Sequence, residues 1–267
     1  MHLFTLSDRD TGVPLMVMSA NLLSAYRTGA IPGVGARRLA RPDATDVCIV
    51  GPGVMGRTGL ESYLAVLPEL DTLRIVGRGR ANAEKFAAWA SSKFPQLRSV
   101  TICDSVQEGV RGADVIHVGA STPPDVATYP YLASEWLKPG AFVCSVANTR
   151  MDNDLLTGSA SLFVDNLGLY TTWAEEYPYP TWEVIGIIGC RFTDLVHERK
   201  LTLDDITQIG DVLLGSKPGR TSEDEIIVYS VGGMPIEDVA WATQVYRRAR
   251  RDGIGTELLI WDEPEMA

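Results

Sequence analysis

A chain of 267 residues, 45% hydrophobic and 22% charged, carries enough apolar side chain to build one or two folded domains, which excludes a disordered protein. A net charge of −10 with no cluster of lysine and arginine argues against nucleic acid as a partner, because a phosphate backbone is held by cations. No apolar run reaches the ~18 residues of a membrane span, and the opening segment has neither the basic nor the apolar region of a secretory signal, so a cytoplasmic protein without membrane contact is expected.

Residues 2–6 and 14–18 are short apolar runs around the turn-rich SDRDTG, a hairpin signal. Ser19 is placed to cap a helical stretch over residues 20–39, which Pro32 and Gly33 should kink or divide. Residues 47–50 form a continuous apolar strand followed at once by Gly51-Pro52-Gly53-Val54-Met55-Gly56 and a helix to about residue 67. Strands are expected at 73–76, 100–103, 115–120, 141–147 and 162–165, with a helix at 81–93. Apolar runs without two-residue alternation suit strands covered on both faces, so the pattern predicts an α/β fold, a Rossmann-type doubly wound parallel sheet. Farther on, 203–214 reads as helix, 226–229 as strand, 235–251 as helix with Pro235 in its first turn, and 258–261 as a strand-like piece. Cys48, Cys103, Cys144 and Cys190 form no CxxC pair and read as core hydrophobes, and His2, His117 and His197 lack zinc-ligand spacing, so no metal is expected.

The glycine-rich segment has the context that gives such a motif meaning, with a strand before it, a helix after it and a second strand about 20 residues on. Gly51 allows the tight turn, Gly53 lets backbone approach a pyrophosphate, and Gly56 lets helix pack on strand. Val54 and Met55 open the helix, whose free N–H groups and dipole favour an anion. A βα turn that binds nothing is the alternative. After the second strand an NAD site usually carries an acid for the ribose hydroxyls. Here the sequence reads Val76-Gly77-Arg78-Gly79-Arg80, and an arginine suits a 2′-phosphate, so NADP is preferred and NAD possible. Arg78 and Arg80 as solvated loop charges is the other reading. Ser121 and Thr122 follow the strand at 115–120, where an open sheet binds ligands, and either meet the nicotinamide or cap the next segment.

Several segments together resemble the ornithine cyclodeaminase and μ-crystallin family: Arg27-Thr28-Gly29-Ala30, the glycine loop, Arg78-Gly79-Arg80-Ala81-Asn82, Ala113-Asp114-Val115-Ile116, Lys217-Pro218-Gly219-Arg220-Thr221-Ser222, and Ile236-Glu237-Asp238-Val239-Ala240. The resemblance implies a homodimer of two-domain chains, with a Rossmann domain over 42–231 and a smaller substrate and dimerisation domain from 1–41 plus 232–267. It places Arg27 at the substrate carboxylate, Thr28, Arg78 and Asn82 at the cofactor, and Ser230 near the nicotinamide. The tail from Gly255 to Pro264 is similar to that of a bacterial subgroup of the family that carries the name of a tyramine oxidase component.

Two departures qualify the resemblance. Cyclodeaminases carry an aspartate as general base after the strand that is here 141–147, and Thr149 takes that place, with Asp152 or Asp154 as substitutes. Family members also carry an upstream stretch with a substrate-binding arginine and a catalytic lysine, so this chain reads as N-terminally truncated. The implied function is NAD(P)-dependent oxidoreduction at the C–N bond of a small amino acid, amine or imine. A true ornithine cyclodeaminase and a catalytically impaired NADP-binding protein or accessory component of an amine-oxidising system are the alternatives.

Overall fold

The computed structural model describes residues 2–259. In chain order the described strands are β1 (Leu3–Ser7), β2 (Pro14–Ser19), β3 (Asp46–Val50), β4 (Thr72–Val76), β5 (Ser99–Cys103), β6 (Val115–Val118), β7 (Tyr131–Leu132), β8 (Phe142–Ser145), β9 (Arg150–Met151), β10 (Ala160–Val164), β11 (Ile206–Gln208) and β12 (Ile226–Ser230). The helices are α1 (Asn21–Leu39), α2 (Val54–Val66), α3 (Arg80–Lys93), α4 (Val106–Val110), α5 (Leu167–Glu176), α6 (Thr181–Ile185), α7 (Ile188–His197), α8 (Ile209–Leu214) and α9 (Pro235–Asp252). They fall into two compact units, Met1–Ser24 with Pro235–Ala267, and Ala25–Met234.

The larger unit is built on an eight-stranded sheet in the order β11-β10-β12-β8-β6-β3-β4-β5, parallel at every pairing. Its strands read apolar throughout because both faces are covered. Val47 and Ile49 of β3 join a core with Leu60, Tyr63 and Phe86, while Cys48 and Val50 point into the opposite core with Ile116, Val143 and Phe192. This is the doubly wound sheet that the strand–helix alternation predicts.

In the smaller unit β1 and β2 form the expected antiparallel hairpin, from Leu3 opposite Ser19 to Ser7 opposite Pro14. The Asp8 carboxylate closes the turn by accepting from the backbone of Asp10 and Thr11. Leu6, Leu23 and Ala242 bury together as this unit's core.

Four local expectations are corrected. Ser19 does not cap a helix. It ends β2, because the antiparallel ladder takes its backbone, and the helix starts at Asn21, whose side chain accepts from the His2 N–H. Pro32 does not divide α1, which runs through it. Close packing holds the helix past the bond that proline removes: a Cβ on Gly29 would overlap Thr58, and one on Gly33 would lie 2.7 Å from the Ser62 Cβ, so α1 and α2 meet nearly backbone to backbone. Residues 203–214 are not one helix. A 3-10 turn over Leu203–Asp205, boxed by Thr202 and Asp205, leads into β11, and only Ile209–Leu214 is α-helical. The chain extends there because β10 offers an open edge for its backbone. Leu258 and Leu259 are not strand, and the rest of that predicted piece lies outside the described residues.

Candidate functional site

In an open parallel sheet the ligand crevice lies beyond the carboxyl ends of the strands where the winding reverses. Here β3 has β4 on one side and β6 on the other, so the reversal falls between β3 and β6. Two loops leave the sheet at that point, and they touch. Gly51 has φ +104°, a conformation side chains rarely adopt, and a Cβ there would sit 2.5 Å from the Ala120 nitrogen. A Cβ on Gly56 would overlap the Gly51 carbonyl and lie 2.8 Å from the Ile49 side chain, so only glycine lets α2 start this close to β3. Gly53 is different. It is the N-cap of α2, no side chain caps that end, and its Cβ position faces open space. Val54 and Met55 form the first turn behind it. A helix start uncovered by protein atoms, with glycine at its tip, fits the pyrophosphate of a dinucleotide.

His117 of β6 lies beneath this loop. Its ring is fully buried, its Nδ1 is 2.9 Å from the Tyr63 hydroxyl, and Cβ atoms on Gly59 or Gly119 would come within 2.8 and 2.9 Å of it. Burial pushes its pKa down to about 4, so it is neutral at pH 7. A histidine in a predicted strand gave no sign of that role. The signal that was present was the pair of glycines, Gly59 and Gly119, that make room for it.

The two arginines after β4 do different things. Arg78 is exposed and reaches across to donate 2.6 Å to the Ser121 carbonyl, which brings the β4 and β6 loops together. Arg80 is engaged with Glu84 and Asp104 at 3.2 and 3.6 Å. Asn82 lies in the first turn of α3, its N–H bonded to the Gly79 carbonyl. Ser121 is exposed, and Thr122 accepts from the Asn148 amide at 3.2 Å, which ties the end of β6 to the end of β8.

Thr149, at the place of a general base, is 0% exposed. Its hydroxyl is 2.6 Å from the Ser145 hydroxyl and donates to the Ala147 carbonyl at 3.0 Å, so it braces the turn and presents nothing to a ligand. Asp152 is engaged by other groups. Its carboxylate accepts from the Tyr131 hydroxyl and from the backbone and hydroxyl of Ser134. Burial raises its pKa, but those bonds outweigh burial and leave it lowered. Asp154 is exposed at the start of the turn over Leu155–Ser159.

Farther along the same edge of the sheet, after β10, stands a buried carboxylate that the sequence did not reveal. Asp165 follows β10 and is 4% exposed. Oδ1 accepts from the Asn166 N–H at 2.9 Å and lies 3.0 Å from the Tyr170 hydroxyl, and Oδ2 accepts from Gly232 and Gly233 at 2.8 and 2.6 Å. The Tyr170 oxygen is also 3.1 Å from the Ser230 hydroxyl, which accepts from the Gly189 N–H at 2.9 Å. A phenol has one proton; the carboxylate takes it, so Ser230 donates to the phenol oxygen. Ser230 is thus fully buried, its hydroxyl spent inside the network. Above the loop lies Arg27: a Cβ on Gly233 would overlap its Nη1. The structure therefore gathers the glycine loop, Arg78, Ser121 and Thr122 around the β3/β6 crevice, and Arg27 and Ser230 around the loop after β12.

This fold and this crevice define an α/β protein of the dinucleotide-binding class. The model of the ornithine cyclodeaminase/mu-crystallin family matches residues 1–253, and the chain belongs to that family. It is 25% identical over 257 residues to N-((2S)-2-amino-2-carboxyethyl)-L-glutamate dehydrogenase of Staphylococcus aureus, covering 96% of this chain and 70% of that protein. It is 31% identical over 245 residues to the ketimine reductase mu-crystallin of Mus musculus, covering 90% and 67%. Among solved structures, Thermococcus litoralis Delta(1)-pyrroline-2-carboxylate reductase in complex with NADH and L-proline superposes with a TM-score of 0.80 at 25% identity, covering 96% of this chain and 74% of that one.

Proposed function

We propose that this chain reduces the C=N bond of a small α-imino acid with a nicotinamide dinucleotide, NADPH in preference to NADH. One observation carries the choice of reductase over cyclodeaminase: the turn after β8 holds the sealed hydroxyl of Thr149 where a cyclodeaminase needs a carboxylate to move protons at an amine. Reduction of a protonated imine needs no such base. The nitrogen arrives carrying its proton and keeps it as C=N becomes C–N. The names of the related proteins, a ketimine reductase and a pyrroline-2-carboxylate reductase, support this chemistry.

The cofactor, when bound, supplies the hydride. The N–H groups of Val54 and Met55, behind Gly53, face its pyrophosphate, Arg78 meets a 2′-phosphate, and Ser121 and Thr122 border the nicotinamide end. The Arg27 guanidinium takes the substrate carboxylate with two parallel bonds. While Arg27 lies in the larger unit, the smaller unit serves as dimerisation domain. Leu3 and Val17 of its hairpin are 68% and 64% exposed, and a partner copy would cover them, which light scattering would check by a mass near twice that of the chain.

The deciding assay follows the absorbance of reduced nicotinamide with Δ1-pyrroline-2-carboxylate and, separately, with ornithine. Consumption of NADPH by the imino acid, with no proline formed from ornithine, is the expected result. Proline from ornithine without net change of cofactor would overturn the reading.

A further inference from the structure

We propose that Asp165 is a positioning residue for Arg27: its buried carboxylate shapes the Gly232-Gly233 backbone into the seat on which the guanidinium lies. The inference rests on the reading of Arg27 as the group that holds the substrate carboxylate.

A charge shut away from water is costly, and burial pushes the Asp165 pKa up, opposed by the bonds it accepts. Its side chain forms no ion pair with any described residue. Instead every contact to its two oxygens comes from a neutral donor, and two of the four donors are consecutive backbone N–H groups converging on one oxygen, Oδ2. Such convergence dictates backbone shape rather than merely filling space. Its product is visible in the next residue: Gly233 is held at φ +84°, in the left-handed region, and its Cα face carries Arg27 Nη1 where a side chain would have been. Gly232 is equally constrained, since a Cβ there would meet Leu169 at 2.6 Å and the Tyr170 hydroxyl at 3.2 Å.

The other oxygen explains why the seat does not drift. Oδ1 accepts from the Tyr170 hydroxyl, Tyr170 is joined to Ser230 at the end of β12, and Ser230 accepts from the start of α7 at Gly189. The loop is thereby referenced to β10, β12, α5 and α7 together. Arg27 has a long, rotamer-rich side chain, and fixing one of its faces against rigid backbone lowers the ordering cost of meeting a carboxylate.

The test uses three readouts and three variants. Phenylglyoxal labelling of Arg27, followed by mass spectrometry with Arg220 as the internal reference, reads the seat without any substrate. L-proline titration in the presence of NADH reads the substrate side, and NADH titration alone reads the nucleotide side. Asp165→Asn keeps the size but turns an amide toward donors. It should raise Arg27 labelling several-fold relative to Arg220, weaken L-proline about tenfold, the loss expected for a charge-assisted contact, and leave NADH affinity unchanged. Gly233→Ala disturbs the seat alone and should do the same with Asp165 intact. Unchanged Arg27 labelling in Asp165→Asn overturns the proposal. Should that variant not fold, unchanged labelling in Gly233→Ala overturns it equally. Arg27→Ala separates the two ideas: if it leaves L-proline affinity untouched while labelling still responds to Asp165→Asn, the seat stands and the substrate role of Arg27 falls.

Discussion

Two regions along the carboxyl edge of the sheet are built from different materials. At the β3/β6 end the geometry is set by backbone: Gly51 and Gly56 let loop and helix pack close to the sheet, and Gly53 caps a helix start that faces open space. At the β10/β12 end the geometry is set by side chains, with Asp165, Tyr170 and Ser230 wired together under a glycine pair. A pyrophosphate is the same in every dinucleotide, and unhindered N–H groups suffice for it. A small substrate must be oriented to the ångström against a hydride, and that calls for a shape that a polar network can specify.

The sharpest way to break this contrast lies in His117, a buried histidine beneath the backbone-built end. Its pKa is near 4 when folded and near 6.5 when free, so below pH 6.5 the unfolded chain binds a proton that the folded chain refuses. Stability should therefore rise with pH between 4 and 6.5 and be lost as pH falls through that window, by about 3 kcal/mol in total. Denaturant titrations across the window should show that His117→Gln has a correspondingly flatter curve. Parallel curves for the two proteins would mean that His117 is not held neutral.

Next in size is Gly53→Ala. Its Cβ meets no protein atom, so melting temperature should stay put while nucleotide affinity drops roughly tenfold to a hundredfold, the equivalent of about 1.5–3 kcal/mol in charge-assisted contacts. Isothermal titration that shows undiminished binding would mean that the phosphates do not approach here.

The smallest expected effect separates the two arginines. Arg78→Ala should erase most of an approximately tenfold preference for NADPH over NADH. Arg80→Ala should not, since that guanidinium is already engaged by Glu84 and Asp104. Loss of the preference in Arg80→Ala alone would reverse the assignment.

The same contrast explains what the sequence made legible. Glycines spaced around a strand–helix junction declare their purpose because sterics leave few reasons for them, so the sheet, its winding and the nucleotide loop could be read ahead. Asp165, Tyr170, Ser230 and Gly232 are scattered in sequence and meet only because β10 and β12 are neighbours in the sheet. No spacing rule joins them. Helices α5 and α7 were missed for a related reason. Tyr170, Phe192 and Leu195 are core residues whose burial is decided by the sheet they cover, and no local cue of their own marks it. Thr149 stands out in the sequence as a departure, but only its burial shows that the hydroxyl braces a turn.

The near contact of α1 with α2 has a kinematic consequence. Gly29 and Gly33 let the two helices touch through Thr58 and Ser62, so α2, which starts at the glycine loop, and α1, which carries Arg27, have no room for a side chain between them there. The distance from the Gly53 helix start to the Arg27 guanidinium is then expected to be held by this packing. A methyl group added at Gly29 would overlap Thr58, push the two helices apart and reset that distance.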